Sequence, residues 1–107
     1  MKYFKCYTAL IVLLFANSVY GQEGNPNAGK GKYASCGACH GVQGQGGIGP
    51  ALAGQPREDL INKLRSYKAG ETIGAQSALM WGQAAMLSEG DISDVVEYIL
   101  TLSNKDV

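Results

Sequence analysis

Two thiols and an imidazole fall within five consecutive residues, Cys36-Gly37-Ala38-Cys39-His40. C-x-x-C-H is the spacing of c-type haem attachment. One helical turn must aim both sulfurs at the two vinyl groups of a single porphyrin. The next residue, His40, is then left beneath the iron, where an imidazole serves as proximal ligand. Other chemistries meet the same residues less well. A thioredoxin-like dithiol expects a βαβ context. A structural zinc site needs four ligands, whereas this part of the chain offers Cys36, Cys39 and the one histidine.

An iron held by His40 calls for a second axial ligand. With no other histidine in the chain, the candidates are Met80 and Met86. A soft thioether opposite histidine favours the ferrous state and raises the potential. Met86 sits beside Leu87 at the start of an apolar helical pattern, where it would simply pack. Met80 follows Glu71–Leu79, a stretch without period that reads as a loop able to fold over the ring. Met80 is the favoured ligand.

The beginning of the chain reads differently from the rest. Lys2 and Lys5 precede an unbroken apolar run, Ala9–Ala16, and Val19 and Gly21 stand at −3 and −1 of a cut before Gln22. This is the pattern of a secretory signal peptide over residues 1–21. An apolar core of about ten residues is too short for a bilayer, which needs roughly 20. Cys6 would leave with the leader, and no membrane span would remain. The expected mature domain is 22–107, one small domain of a size that often needs a cofactor, metal or disulfide as a staple. Without Lys2 and Lys5 its charge is near −2, and no basic patch suggests nucleic acid.

The remaining pattern is all-α. Asn25-Pro26 reads as a helix start, leading into the attachment motif through Gly29 and Gly31, which would let another helix approach closely. Gly41–Gly54 is glycine-rich and contains a literal G-x-G-x-x-G at Gly44, Gly46 and Gly49. The dinucleotide fingerprint requires a preceding strand, and here a helix precedes. A loop hugging a flat ligand is the better reading. A second helix is expected from Pro56 to Ala69, closed by Gly70, with Leu60, Ile61, Leu64 and Tyr67 on its buried face. The last helix starts at Ser88 with a capping pattern to Asp91 and carries Ile92, Val95, Val96, Ile99, Leu100 and Leu102. A short helix near Gln83–Met86 completes the set.

Gln22–Val107 resembles a small bacterial class I cytochrome c, of the branch that includes short single-haem periplasmic proteins and the halves of dihaem ones. The matching stretches are Cys36–Gly41, Gly49-Pro50-Ala51-Leu52-Ala53-Gly54-Gln55, Leu64–Gly70, Met80 and Leu87–Leu100. The resemblance implies an all-α cytochrome c fold wrapped around one covalent haem c. It implies attachment at Cys36 and Cys39, and iron ligation by His40 and Met80. The Pro50 carbonyl would accept a hydrogen bond from the other nitrogen of His40, and Leu52 would lie against the porphyrin. Tyr98 would pack near Gly29 or Gly31. One departure is plain: the branch often has an arginine near a propionate shortly after the position of Gly70. Thr72 stands there, and no arginine follows Arg65.

A six-coordinate His/Met haem leaves no site for substrate, so the expected function is single-electron transfer rather than enzyme catalysis. The protein would exchange electrons in the periplasm with transient partners of a respiratory chain, a donor complex and a terminal oxidase or reductase. The competing function is a haem domain or subunit of a redox enzyme, or a peroxide- or gas-binding protein with a labile Met80. Near Met80 the sequence supplies only Trp81 and no distal histidine or arginine.

Overall fold

The computed structural model describes residues 24–102; the leader expected over 1–21 lies outside them. Four helices follow one another: α1 (Pro26–His40), α2 (Arg57–Lys68), α3 (Ser77–Ala85) and α4 (Glu89–Thr101). No strand occurs among the described residues. The all-α class anticipated from the motifs is the class observed among the described residues.

Local sequence explains the two longest helices. The Asn25 side chain accepts from the backbone N–H of Asn27 and Ala28, and Pro26 occupies the first turn, where its missing N–H costs nothing. At α4, Ser88 Oγ accepts from the Asp91 N–H at 3.0 Å while Asp91 returns the bond to the Ser88 N–H at 2.9 Å. Lys32 of α1 lies 3.1 Å from the same Asp91 carboxylate and links the two helices.

The core is a cluster of Tyr33, Leu60, Ile92, Val95, Val96 and Ile99. α4 supplies four of these from positions i, i+3, i+4 and i+7, one stripe facing both α1 and α2. Gly29 is where α1 crosses α4: a Cβ there would fall 1.9 Å from the Asp94 carbonyl oxygen. Only a bare Cα permits this approach. Gly31 does not share the role, since nothing lies within 4 Å of its Cβ position. Tyr98 meets Tyr33, with ring centroids 5.2 Å apart and planes tilted by 54°; the glycine contact lies one turn earlier, at Asp94 and Val95.

Three sequence expectations change. Pro56 caps α2 rather than opening it. The stretch read as a loop to Leu79 becomes helical at Ser77, so Met80 sits inside α3. The short helix expected at Gln83–Met86 is the end of this longer one, with Met86 as its C-cap. The reason is a buried hydroxyl. Ser77 Oγ accepts from the N–H groups of Ile73 and Gly74, each at 2.8 Å, and donates to the Gly74 carbonyl. This knot ties the preceding turn and starts a helix that apolar periodicity does not announce.

Candidate functional site

His40 ends α1, and the glycine-rich loop folds straight back over it. The N–H of Gly46 donates to the His40 carbonyl and that of Gly49 to the Cys39 carbonyl, both at 2.8 Å. The loop thereby caps carbonyls that a helix C-terminus leaves without partners. Gly44 and Gly46 take φ of +65° and +94°, which the tight return requires. Gly49 then presses on the imidazole: a Cβ at this position would lie 2.6 Å from Cε1 and 2.8 Å from Nδ1. The loop's close partner is therefore the His40 ring, not only the flat ligand expected from the sequence.

The ring is fixed from a second direction. Nδ1 lies 2.7 Å from the Pro50 carbonyl oxygen. A carbonyl can only accept, so Nδ1 carries the proton and Nε2 keeps its lone pair. Among the described residues Nε2 has no hydrogen-bond partner, and His40 forms part of a cavity wall. Such an outer bond orients a metal-ligating imidazole and raises its basicity.

The cavity has a volume of about 550 Å³, within the range of small-molecule and cofactor sites. Cys36, Cys39 and His40 line it from α1, and Ile48, Pro50 and Leu52 from the loop. Leu60, Leu64 and Tyr67 come from α2, Leu79 and Met80 from α3, and Val95 and Ile99 from α4. Every site residue named from the sequence thus meets one space. Met86 is exposed and does not line it. Helices α1 and α3, which bring His40 and Met80, do not pack against each other. The cavity lies where they would otherwise meet.

The thiol environment bears on the competing dithiol chemistry. Dithiol enzymes depress a thiol pKa, commonly at a helix N-terminus. Here both cysteines lie in the last turns of α1, and burial pushes the Cys36 thiol above its ordinary value. Cys39 is exposed. The donor set fits haem better: two thiols one turn apart, an oriented imidazole, a thioether and an apolar wall around a pocket of suitable size.

Sequence reasoning missed several lining groups, among them Gln55, Lys63 and Ile73, and it placed Tyr67 on a buried face without assigning it to the site. A signal for Lys63 was present. Lys63 and Tyr67 stand four residues apart on α2 and share a helix face with Leu60 and Leu64.

Comparison with known proteins gives the family. The family description "Cytochrome c" matches residues 26–103. The chain is 43% identical over 89 residues to cytochrome c-554(547) of Halothiobacillus neapolitanus, covering 74% of this chain and 98% of that one. It is 40% identical over 77 residues to cytochrome c-554(548) of Halomonas halodenitrificans, covering 70% and 93%. With cytochrome c4 of Stutzerimonas stutzeri the identity is 36% over 102 residues, 88% of this chain and 49% of the relative, so the chain spans about half of that protein's length. The chain belongs to the cytochrome c family, as a small all-α domain that carries a covalently bound c-type haem.

Proposed function

We propose that the protein is a periplasmic electron carrier, not an enzyme, which passes single electrons between a donor complex and a terminal oxidase or reductase. When bound, haem c supplies a one-electron Fe(III)/Fe(II) couple. The chain's own residues do the rest. Cys36 and Cys39 hold the macrocycle through thioethers. His40 offers Nε2 to the iron because Pro50 and Gly49 fix its other nitrogen and its ring plane. Met80 offers a soft sulfur from α3. Leu52, Leu60, Leu64, Val95 and Ile99 exclude water from the site, which limits the reorganisation that accompanies each change of charge.

The observation that carries this reading is the pairing of His40 and Met80 as walls of one cavity, brought there by two helices that do not touch. With haem bound, His40 and Met80 would supply both ligand positions, which would suit electron exchange and leave no place for substrate. The basic and apolar pattern of residues 1–21 supports export. Among the described residues no helix is long and apolar enough to cross a membrane.

The ferric absorption spectrum of the secreted holoprotein tests the ligand pair through the weak far-red band of sulfur-to-iron coordination. The band is expected in the wild type and in Met86→Ala, and is expected to vanish in Met80→Ala. A band that survives Met80→Ala overturns the assignment. High-spin ferric haem in the wild type at neutral pH would point instead to peroxide or gas chemistry at an open iron.

A further inference from the structure

The cavity wall is mostly apolar, with polar side chains contributed from α1, the loop, α2 and α3. Among its lining residues there is no aspartate, glutamate or arginine, and Lys63 is the one ammonium. The other polar groups there, Ser35, Gln55, Gln76, Gln83 and Tyr67, are uncharged as they stand. The haem that fits this space brings two propionate carboxylates, so the wall offers a single fixed cation to an occupant with two anionic arms.

Two bridging cations of the fold bind neutral acceptors rather than carboxylates, Lys68 on the Leu87 carbonyl and Lys63, and of the two only Lys63 lines the cavity. Lys32 pairs with Asp91, Arg57 with Glu97, and Arg65 with Glu89. The Lys63 ammonium instead donates to the neutral Gln55 Oε1 at 3.0 Å. Gln55 in turn donates through Nε2 to the Ala51 carbonyl at 2.7 Å. Among the described residues no carboxylate stands within ion-pair distance of Lys63. The lysine is therefore held at the cavity edge by a chain of two hydrogen bonds. That chain ends on the residue beside Pro50, in the segment that orients His40.

We infer that Lys63, steadied by Gln55, is the cationic partner of a haem propionate in this chain, in the role for which Thr72 has no charge to offer. The inference deepens the functional reading above, since it rests on haem occupying this cavity. A cation beside a propionate cancels negative charge close to the iron and so favours the ferrous form. Its loss should favour the ferric form. Lys63 is a positioning and tuning residue, not a ligand.

Redox titration of the holoprotein reads this directly. In Lys63→Gln the ferrous-to-ferric ratio at a fixed ambient potential should fall roughly threefold to fivefold, near the upper end for an exposed charge pair. Lys63→Arg should restore the wild-type ratio. Lys30→Gln, which removes an exposed lysine of α1 outside the cavity wall, should leave it unchanged.

Equal shifts in Lys63→Gln and Lys30→Gln would overturn the inference, as would no shift. Each would make Lys63 an ordinary surface cation. The potential is defined whichever group is the sixth ligand, so such a failure leaves the His40/Met80 reading standing. Conversely, a missing far-red band in the wild type sinks that reading and leaves this comparison intact.

Discussion

Gly49 lies against the ring of His40 so closely that one added methyl group would sit 2.6 Å from its Cε1. The same ring is held 2.7 Å from the Pro50 carbonyl on the next residue. The imidazole is thus oriented by bulk on one side and by a hydrogen bond on the other. Gly49→Ala should force the ring or the loop to move. We expect a loss of about 1–3 kcal/mol in stability, as for other overpacked sites, together with reduced haem content per chain. Urea unfolding and the ratio of Soret to protein absorbance check both. An unaltered Soret ratio would show that the loop, and not the ring, gives way.

The two glycines of α1 should respond in opposite directions. Gly29→Ala places a Cβ into the Asp94 carbonyl and should destabilise the crossing of α1 and α4. Gly31→Ala meets open space and should stabilise the helix by about 0.5–1 kcal/mol, the usual difference between glycine and alanine in a helix interior. Parallel thermal melts separate them.

Burial is most complete on α4, where Ile92 and Val96 are at 0% exposure. Ile92→Ala should cost about 2–5 kcal/mol through lost transfer energy and the cavity left behind. The spectrum of whatever holoprotein remains should be unchanged, because Ile92 does not line the cofactor space. A large spectral change would mean that the core and the site are coupled more tightly than this packing implies.

The Asp91 carboxyl is held below its ordinary value of 3.8, first by the Ser88 N–H and then by Lys32. A depressed folded-state pKa stabilises the fold above the unfolded value and loses that effect as pH falls through the folded one. The contribution is therefore present at neutral pH and fades only below about pH 4. In Asp91→Asn the unfolding midpoint should decline less steeply with acid over that range. Acid titration followed by circular dichroism gives the comparison.

Cys36→Ala and Cys39→Ala should each lower haem retention and folded stability together, since a domain this small leans on its cofactor as a staple. Gel haem staining alongside circular dichroism provides the test. A variant that loses haem yet melts like the wild type would remove the link between attachment and folding.

Much of this could be read from the residues because the chemistry is local. Cys36, Cys39 and His40 declare themselves within one helical turn, and Asn25-Pro26 and Ser88-x-x-Asp91 mark helix starts by their own hydrogen bonds. The anticipated bond between His40 and the Pro50 carbonyl is present. What escaped depends on contacts distant in sequence or on a single buried atom. Ser77 starts α3 by binding the turn before it, and no periodicity encodes that. Gly31 and Gly29 look alike in sequence, and only the position of Asp94, far along the chain, distinguishes them. Lys63 is one of several cations of α2, and only the fold sets it on the cavity wall.

The way α3 is attached has a consequence for cooperativity. It packs on α2 alone, while α1 and α4 grip each other and α4 also grips α2. A segment held on one side can open without dissolving the remainder, as a separate unit of partial unfolding. Its amide protons should exchange with solvent well before those of α4. A sulfur-to-iron bond from Met80 would tether that free side, and reduction, which strengthens such a bond, would slow exchange throughout Ser77–Ala85. The oxidation state of the cofactor would thus be written into the local melting of one nine-residue helix.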